Sequence, residues 1–167
     1  APVVDTIVII VGAGRGHRFG GDIPKQYLML SGVPVLRRTV SAFLSHPDID
    51  AVRPVIHPDD ETFFRDAVAG LDVLDPVPGG ATRQDSVRLG LESVETLAPS
   101  KILIHDAARP FVAADVITGV LDGLNTYTGA IPSLPVTDTL KRGSGSLIRE
   151  TVDREELYRA QTPQGFR

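Results

Sequence analysis

The stretch IVIIVGAGRGHRFGGDIPKQY, residues 7–27, decides the fold. It begins with an uninterrupted aliphatic run over residues 7–11, which is typical of a strand that is covered on both faces. A glycine-rich, basic loop follows at once. Glycines allow the backbone to approach a ligand closely and to direct its N–H groups at phosphate oxygens. The stretch therefore predicts a buried parallel strand whose carboxyl end serves a phosphate group.

The rest of the chain alternates short aliphatic runs with segments of helical periodicity. Strands are predicted at residues 7–11, 51–57, 73–74, 101–105 and 129–134, and helices at 35–45, after Asp59 or Asp60, at 85–97 and around 116–124. This alternation predicts an α/β, Rossmann-like fold with a mainly parallel twisted sheet and helices on both faces. After Pro135 the alternation ends, and residues 138–152 are predicted to form two polar strands of a projecting β-hairpin.

The composition narrows the functional classes. We expect residues 1–167 to form a single domain. The formal net charge of −4 disfavours a nucleic-acid partner, but Arg15, Arg18 and Lys25 supply a local basic patch for a small anion. The absence of cysteine excludes disulfides, thiolate metal sites and a cysteine nucleophile, and it agrees with a cytoplasmic protein. The longest aliphatic run near the start is too short to span a membrane.

The glycine-rich loop differs from two well-known phosphate loops. In the dinucleotide pattern G-x-G-x-x-G begun by Gly12, His17 stands in place of the third glycine, and no Gly-Lys-Ser/Thr follows at the spacing of a Walker loop. Arg18, Pro24 and Lys25 follow instead. Two cations held by one loop can neutralise a triphosphate and the additional charge of a transition state. The loop therefore predicts transfer as well as binding of phosphate; the alternative is a glycine-rich turn with solvated basic residues.

The sequence ILIHDAARPF, residues 102–111, places an aspartate at the end of a predicted buried strand. We expect Asp106 on the same edge of the sheet as the glycine-rich loop. Because Mg²⁺ commonly takes one or two carboxylates and fills its shell with water and phosphate, Asp106 is the candidate metal ligand. A turn or capping role is the alternative. For Arg109 we expect an ion pair with a nearby carboxylate, and for His105 an orienting role or a satisfied place in the core rather than a role as a ligand.

A third segment, PGGATRQDSV at residues 78–87, follows another predicted strand. Its glycines, with Arg83, Asp85 and Ser86, can recognise a nucleobase edge and begin a helix. An ordinary helix cap by Asp85 or Ser86 explains the same residues about equally well. The carboxyl ends of parallel strands share one edge of a sheet. The loops after residues 11, 74 and 105 are therefore expected to meet there.

The motifs resemble those of the 2-C-methyl-D-erythritol 4-phosphate cytidylyltransferases of the non-mevalonate isoprenoid pathway. They follow the order and spacing of that family from residue 5 to the end of the chain: G-x-G-x-R and PKQY (residues 14–18 and 24–27), GG-x-x-R-x-x-SV (79–87), HDAARP (105–110), TVDR (151–154) and TPQ (162–164). HDAARP together with PKQY is specific. The glycine-rich loop alone indicates only some nucleotidyltransferase.

The resemblance implies that CMP is transferred from CTP to the 4-phosphate of methylerythritol phosphate, with release of pyrophosphate and with Mg²⁺ bound by Asp106. It implies that Arg18 and Lys25 are the catalytic residues. The implied nucleotide site comprises Gly12, Ala13, Gly14, Gly16, Gly80, Arg83 and Ser86, and the implied methylerythritol phosphate site comprises Thr139, Arg154 and Thr162. A further implication is a homodimer in which a β-arm, residues 136–154, crosses to the second subunit.

The chain departs from the family pattern in two places. Val11 and Gly12 begin a loop whose first residue is commonly proline or alanine in the family, so a looser nucleotide pocket is expected there. The family also continues beyond the position of Arg167 and brings a further basic residue to the substrate phosphate. We therefore expect the domain to lack its C-terminal portion, or the chain to be the N-terminal part of a bifunctional cytidylyltransferase and cyclodiphosphate synthase.

Other functions agree with parts of the same pattern. Ribitol-5-phosphate cytidylyltransferases have a similar loop, a closely similar HDA-x-RP segment and TPQ. PKQY and HDAARP weigh against a sugar-1-phosphate nucleotidyltransferase. A non-catalytic nucleotide-binding module is disfavoured because Arg18, Lys25 and Asp106 occur together, and a dinucleotide-dependent oxidoreductase is disfavoured by the missing third glycine.

Overall fold

A computed structural model describes residues 4–14 and 22–167. The aliphatic run forms β1 (Thr6–Gly12) at the centre of a six-stranded sheet. Successive side chains of β1 point to opposite faces: Val8 and Ile10 join one hydrophobic core, and Ile7 and Ile9 join the other. Because all four side chains are at most 1 % exposed, the strand is covered on both faces, as its composition predicts.

Five further strands complete this sheet. They are β4 (Ala51–Ile56), β5 (Val77–Pro78), β6 (Lys101–Asp106), β7 (Gly129–Ala130) and β12 (Gln164–Phe166). Across the sheet the order is β5-β4-β1-β6-β12-β7. Strands β5, β4, β1 and β6 are parallel to one another, and β12 is antiparallel to both β6 and β7. The carboxyl ends of β1, β5 and β6 consequently lie at one edge of the sheet.

Helices cover both faces of the sheet. They are α1 (Val35–Leu44), α2 (Glu61–Ala67), α3 (Arg83–Glu92) and α4 (Ala114–Leu124). Side chains of α1 and α4 pack with Val8 and Ile10, whereas α3 contacts β1 and β4. The α/β fold with a mainly parallel sheet and two helical layers is therefore confirmed. In the described part of the chain, no helix is long and apolar enough to cross a membrane.

Short elements surround this framework. The 3₁₀ helices span Lys25–Tyr27, Pro58–Asp60 and Glu95–Leu97. Strands β2 (Met29–Leu30) and β3 (Val33–Pro34) form a small hairpin, and β8 (Ser133–Pro135) pairs with β11 (Tyr158–Ala160). Within the expected arm at 136–154, β9 (Leu140–Ser144) and β10 (Leu147–Val152) form an antiparallel hairpin.

Two of the strand predictions are wrong. Residues 73–74 form no strand; Leu74 donates a single backbone hydrogen bond to Val52, and the strand pairing starts at Val77. Pro76, which has no N–H, separates the two positions. The strand predicted at 129–134 divides into β7 and β8, because Pro132 interrupts the run and β8 then leaves the sheet to pair with β11.

Two helix boundaries also differ from the predictions. The helix predicted at 85–97 is α3, which begins at Arg83 and ends at Glu92, and a separate 3₁₀ turn follows. Thr82 caps it, rather than Asp85 or Ser86. Asp60 occupies the residue before α2, as predicted, but its side chain makes no capping hydrogen bond.

Candidate active site

A cavity of about 760 Å³ opens at the carboxyl edge of the sheet. Its lining comes from the loop after β1, the turn before α3 and the turn after β6, so the three predicted loops do meet. The lining residues are Val11, Gly12, Ala13, Gly14, Lys25, Gln26, His57, Gly80, Ala81, Thr82, Arg83, Ser86, Asp106, Ala107, Ala108 and Arg109. Within this described lining, the cations of Lys25, Arg83 and Arg109 outnumber the carboxylate of Asp106. The cavity therefore suits a polyanion.

Gln26 fixes the start of the glycine-rich loop. Its side chain is 2 % exposed, and its Nε2 donates to the carbonyl oxygens of Gly12, at 2.7 Å, and Gly14, at 3.5 Å. In a planar trans peptide the N–H points opposite to the carbonyl. The Gly12 carbonyl faces Gln26, so the N–H of Ala13 faces away from it. Sequence reasoning did not assign Gln26 a role, although its place within PKQY and its polar side chain in a buried turn were available signals.

Of the two predicted catalytic residues, Lys25 lies in the described part of the chain and Arg18 does not. Lys25 opens the 3₁₀ helix Lys25–Tyr27 and lines the cavity, with Pro24 preceding it at φ −61°. Arg18 and the nucleotide-site residue Gly16 lie outside the described residues. Gly12, Ala13 and Gly14, the other predicted residues of this loop, all line the cavity.

The turn before α3 is held by its own hydroxyl groups. Thr82 Oγ1 accepts from the N–H of Asp85 at 3.0 Å and donates to Asp85 Oδ2 at 2.7 Å. This hydrogen bond from Thr82 is the main reason that the pKa of the Asp85 carboxyl is lowered. Ser86 Oγ accepts from the N–H of Gly80 at 3.1 Å and donates to the carbonyl of Thr82 at 3.1 Å. Ser86 is 2 % exposed, so its hydroxyl shapes the turn that brings Gly80 to the cavity.

Asp106 lies at the end of β6 between two arginines. Its Oδ1 accepts from Arg83 Nε and Nη2, at 3.1 and 2.9 Å, and its Oδ2 accepts from Arg109 Nε at 3.1 Å. The expected ion pair of Arg109 with a carboxylate is thus present. Both arginine side chains are about half exposed, so each pair adds little to stability. Arg83, for which a place near the nucleobase stays a prediction, lines the cavity and contacts the predicted metal ligand.

A second cavity, of about 380 Å³, lies on the other side of the 108–109 turn. It is lined by His105, Ala108, Arg109, Pro110, Phe111, Val112, Gln161 and Thr162. His105 is buried, and both of its ring nitrogens have a hydrogen-bond partner: Nε2 is 2.9 Å from the Arg109 carbonyl, and Nδ1 is 2.9 Å from Thr162 Oγ1. Desolvation lowers the pKa of His105, with a smaller opposing contribution from its hydrogen bond to Arg109.

Thr162 therefore lies beside the rim, but Thr139 and Arg154 do not. Both are exposed and flank the β9–β10 hairpin, and neither lines either of the two cavities. Arg154 Nη1 donates to the carbonyl of Thr137 at the base of the arm. One copy of the chain thus assembles the predicted nucleotide and metal residues that are described, together with Thr162 from the predicted acceptor site.

Comparison with known proteins decides the family. Residues 6–167 match the family described as 2-C-methyl-D-erythritol 4-phosphate cytidylyltransferase. The chain belongs to this family. The match includes every motif that carried the resemblance, and it extends over the glycine-rich loop, both rim turns and the arm.

Individual relatives agree with this assignment. The bifunctional enzyme IspD/IspF of Paramagnetospirillum magneticum is 59% identical over 162 residues, and that of Rhodospirillum rubrum is 58% identical over 160 residues. These matches cover 97% and 95% of this chain but 42% of each relative, so the chain spans about two fifths of their length.

Solved structures give the same result for the fold. A crystal structure of a 4-diphosphocytidyl-2C-methyl-D-erythritol synthase superimposes with a TM-score of 0.81 at 32% identity, covering 97% of this chain and 74% of that one. The 4-diphosphocytidyl-2C-methyl-D-erythritol synthase of Anaerococcus prevotii gives a TM-score of 0.82 at 27% identity, with 97% and 70% coverage.

Proposed function

We propose that this chain transfers CMP from CTP to 2-C-methyl-D-erythritol 4-phosphate, forming 4-diphosphocytidyl-2-C-methyl-D-erythritol and pyrophosphate in isoprenoid precursor biosynthesis. The observation that carries the proposal is the family match over residues 6–167, combined with a cationic cavity built from the loops that hold the family's motifs. The proposed location is the cytoplasm, and the absence of cysteine agrees with it.

The reaction needs no protein nucleophile. An oxygen of the acceptor's 4-phosphate forms a bond to the α-phosphorus of CTP, and the bond from that phosphorus to the β-phosphate oxygen breaks, so pyrophosphate leaves. The protein contributes positioning and stabilisation of charge. Lys25 Nζ, with Arg18, would neutralise the additional charge of the transition state. The N–H of Ala13, turned away from Gln26, would donate to a phosphate oxygen.

We further propose Mg²⁺ as the cofactor, held by Asp106. The donor chemistry fits a metal that takes one protein carboxylate, because Asp106 is at the cavity wall with its side chain 30% exposed. Each carboxylate oxygen has two lone pairs, so the hydrogen bonds from Arg83 and Arg109 leave acceptor capacity. When bound, Mg²⁺ would supply positive charge to the phosphate oxygens of CTP. The described residues contain no cluster of three or more metal-ligating side chains, so the rest of the shell would come from phosphate and water.

Pyrophosphate release tests the proposal directly. The chain is incubated with CTP and Mg²⁺ and with either methylerythritol 4-phosphate or ribitol 5-phosphate. Release with the first acceptor alone supports the proposed function. Release with ribitol 5-phosphate alone moves the chain to the related activity, and CTP binding without release with either acceptor contradicts catalysis.

The role of Lys25 has a matched control. Lys25→Ala is expected to lower kcat by roughly 10²–10³, the usual effect of losing one donor to the transition state. Lys101 has the same charge but begins β6 at the opposite edge of the sheet, where its Nζ donates to Asn125 Oδ1 at 2.9 Å. Lys101→Ala should leave kcat unchanged. Equal rates for the two variants would remove Lys25 from the chemistry.

We also propose that the active unit is a homodimer formed through the arm. Thr139 and Arg154 line neither cavity of their own chain, so the arm of a second copy would bring them to the acceptor site. Apolar side chains exposed on the hairpin agree with a covered surface: Leu147 is 66% and Ile148 is 69% exposed.

Mixing two impaired variants tests this arrangement. Lys25→Ala and Arg154→Ala are each expected to have strongly reduced activity alone. If Arg154 serves the partner's site, a mixed dimer contains one site with both residues intact, and activity returns on mixing. If both residues serve the same chain's site, mixing restores nothing. Light scattering of the wild-type chain then establishes whether a dimer forms at all.

A further inference from the structure

Gln26 is a buried amide side chain that reaches the start of the glycine-rich loop. It is 2 % exposed, and its Nε2 donates to the carbonyl oxygen of Gly12 at 2.7 Å and to that of Gly14 at 3.5 Å. Because carbonyl oxygens only accept hydrogen bonds, the nitrogen of the amide and not its oxygen must face them. The shorter bond therefore fixes the direction in which the carbonyl of Gly12 points.

The turn that carries Gln26 is itself anchored to α2. Gln26 belongs to the 3₁₀ helix Lys25–Tyr27, in which the N–H of Tyr27 donates to the carbonyl of Pro24 at 2.9 Å. Tyr27 is 6 % exposed and stacks on Phe63 of α2, with the ring centroids 5.5 Å apart. A donor on an anchored turn can hold a neighbouring segment in place. Gln26 is thus able to set the position of the loop.

The peptide between Gly12 and Ala13 needs such a bond. A Cβ atom on Gly12 would lie 2.8 Å from the Cβ of Ala107, so the contact between the two loops requires glycine at this position. The carbonyl before it, that of Val11, accepts from the N–H of Ala107 at 2.9 Å. Glycine has more conformational freedom than any other residue, and the bond from Gln26 restricts that freedom where the chain leaves β1.

We propose that Gln26 is a positioning residue, which holds the peptide between Gly12 and Ala13 so that the N–H of Ala13 donates to a phosphate oxygen of CTP. This proposal rests on the proposed function. In a planar trans peptide the N–H points opposite to the carbonyl, so the bond to the Gly12 carbonyl turns the N–H of Ala13 away from Gln26. Ala13 lines the nucleotide cavity, of about 760 Å³. The donor is therefore oriented before the nucleotide binds.

The hydrogen bond of Gln26 can be measured without any ligand. In ¹H–¹⁵N spectra of the wild-type chain, the Nε2 protons of Gln26 should exchange with water much more slowly than those of Gln84, which is exposed. The signals of Gln26 are those that disappear in Gln26→Met. Equally fast exchange at the two glutamines would show that the bond to Gly12 does not persist, and this result would overturn the proposal.

A matched pair of variants separates positioning from a merely structural role. Gln26→Met keeps the length of the side chain but removes the donor. Ser93→Ala removes another side-chain bond to the backbone, from Ser93 Oγ to the carbonyl of Gly90 at 2.7 Å, at the end of α3. Both variants should unfold at a lower urea concentration than the wild type.

Only Gln26→Met should bind the nucleotide more weakly. Its Kd for CTP, measured by calorimetry with Mg²⁺ and without an acceptor, is expected to rise about 2- to 12-fold, the usual effect of one neutral hydrogen bond. Ser93→Ala should keep the wild-type Kd. An unchanged Kd in Gln26→Met, or the same increase in both variants, would refute positioning.

A change in the backbone identifies the group through which Gln26 acts. Lactic acid in place of Ala13 keeps the side chain but replaces the N–H with an ester oxygen. This change alone should raise the Kd for CTP about 2- to 12-fold, and adding Gln26→Met should raise it no further. An unchanged Kd in the ester protein, or effects that multiply, would refute the proposal. A wild-type chain with slow exchange at Gln26 that binds no CTP would instead contradict the proposed function.

Discussion

Gly79 offers a quantitative test of how two loops of the site are packed. A Cβ atom placed on Gly79 would lie 2.2 Å from the Cβ of Ala13 and 2.8 Å from Ser86 Oγ. Non-bonded carbon atoms are most stable at about 3.5–4.0 Å, so the turn before α3 and the glycine-rich loop would have to separate by more than about 1 Å. Overpacking of this kind costs about 1–3 kcal/mol.

Gly79→Ala is therefore expected to lower the free energy of unfolding by about 1–2 kcal/mol, after a gain of about 0.4–1 kcal/mol from the reduced entropy of the unfolded chain. Urea denaturation measures the change. Gly119→Ala is the matched control, because Gly119 lies in α4 and an added Cβ would have no neighbour within 4 Å. That control should gain about 0.5–1 kcal/mol.

A double-mutant cycle shows whether the contact with Ala13 is responsible. Ala13→Gly removes the atom that the new Cβ would meet, so the double variant should be more stable than the sum of the two single effects by at least about 1 kcal/mol. KM for CTP should rise in Gly79→Ala, since Ala13 lines the nucleotide cavity, and should recover in the double variant. Effects that add within about 0.5 kcal/mol would refute the packing explanation.

Three further predictions concern the cap, the carboxylate and the buried histidine. Thr82→Ala should lower the free energy of unfolding by about 1 kcal/mol in urea denaturation, because α3 loses the capping hydrogen bond that Thr82 Oγ1 accepts from the N–H of Asp85, although the backbone N–H of Thr82 can still donate to Asp85 Oδ2. Asp106→Asn should change that free energy by no more than about 1 kcal/mol, since its arginine partners are half exposed; a larger loss in the same titration would assign Asp106 a structural role. Burial lowers the pKa of His105 below the ordinary histidine value of about 6.5, so the unfolded chain binds more protons. Stability should therefore be full above about pH 6.5 and should decline as the pH falls from there toward the lower folded pKa. His105→Gln should lack this slope when urea denaturation is repeated across pH.

The elements that the sequence predicts well are those fixed by local pattern. The run at 7–11 contains only aliphatic side chains, and any strand of that composition needs cover on both faces. The apolar residues at 35–45 likewise recur with the period of a helix that buries one face, and α1 forms over these residues. Such signals do not depend on which partner the element meets.

The shortest elements depend on partners that the sequence does not name. Strand β12 has three residues and is placed between β6 and β7 by pairing with segments more than 30 positions away. Strand β8 pairs with β11 only because the chain returns after the arm. No local pattern of three residues distinguishes such a strand from a loop, which is why neither β11 nor β12 was predicted.

The candidate site also has features that local pattern predicts and features that depend on contacts between distant segments. The order of parallel strands places the three loops at one edge, so their meeting could be predicted from alternation alone. The contacts between loops could not: Gln26 reaches back to the carbonyl of Gly12, and Arg83 crosses to Asp106. In both contacts a long side chain bridges two segments that are distant in the chain. The sequence shows that the polar groups are present, but not which of them meet.

The glycines of the rim have two different physical reasons. Glycine next to a phosphate loop predicts close approach of a ligand, and Gly14 fits that reason, because an added Cβ would have no neighbour within 4 Å. Gly12 does not: its Cβ would lie 2.8 Å from the Cβ of Ala107, in the turn that directly follows Asp106. Gly79 similarly faces Ala13. Glycine at these two positions lets neighbouring loops touch, and this contact links the phosphate loop both to the candidate metal carboxylate and to the turn before α3.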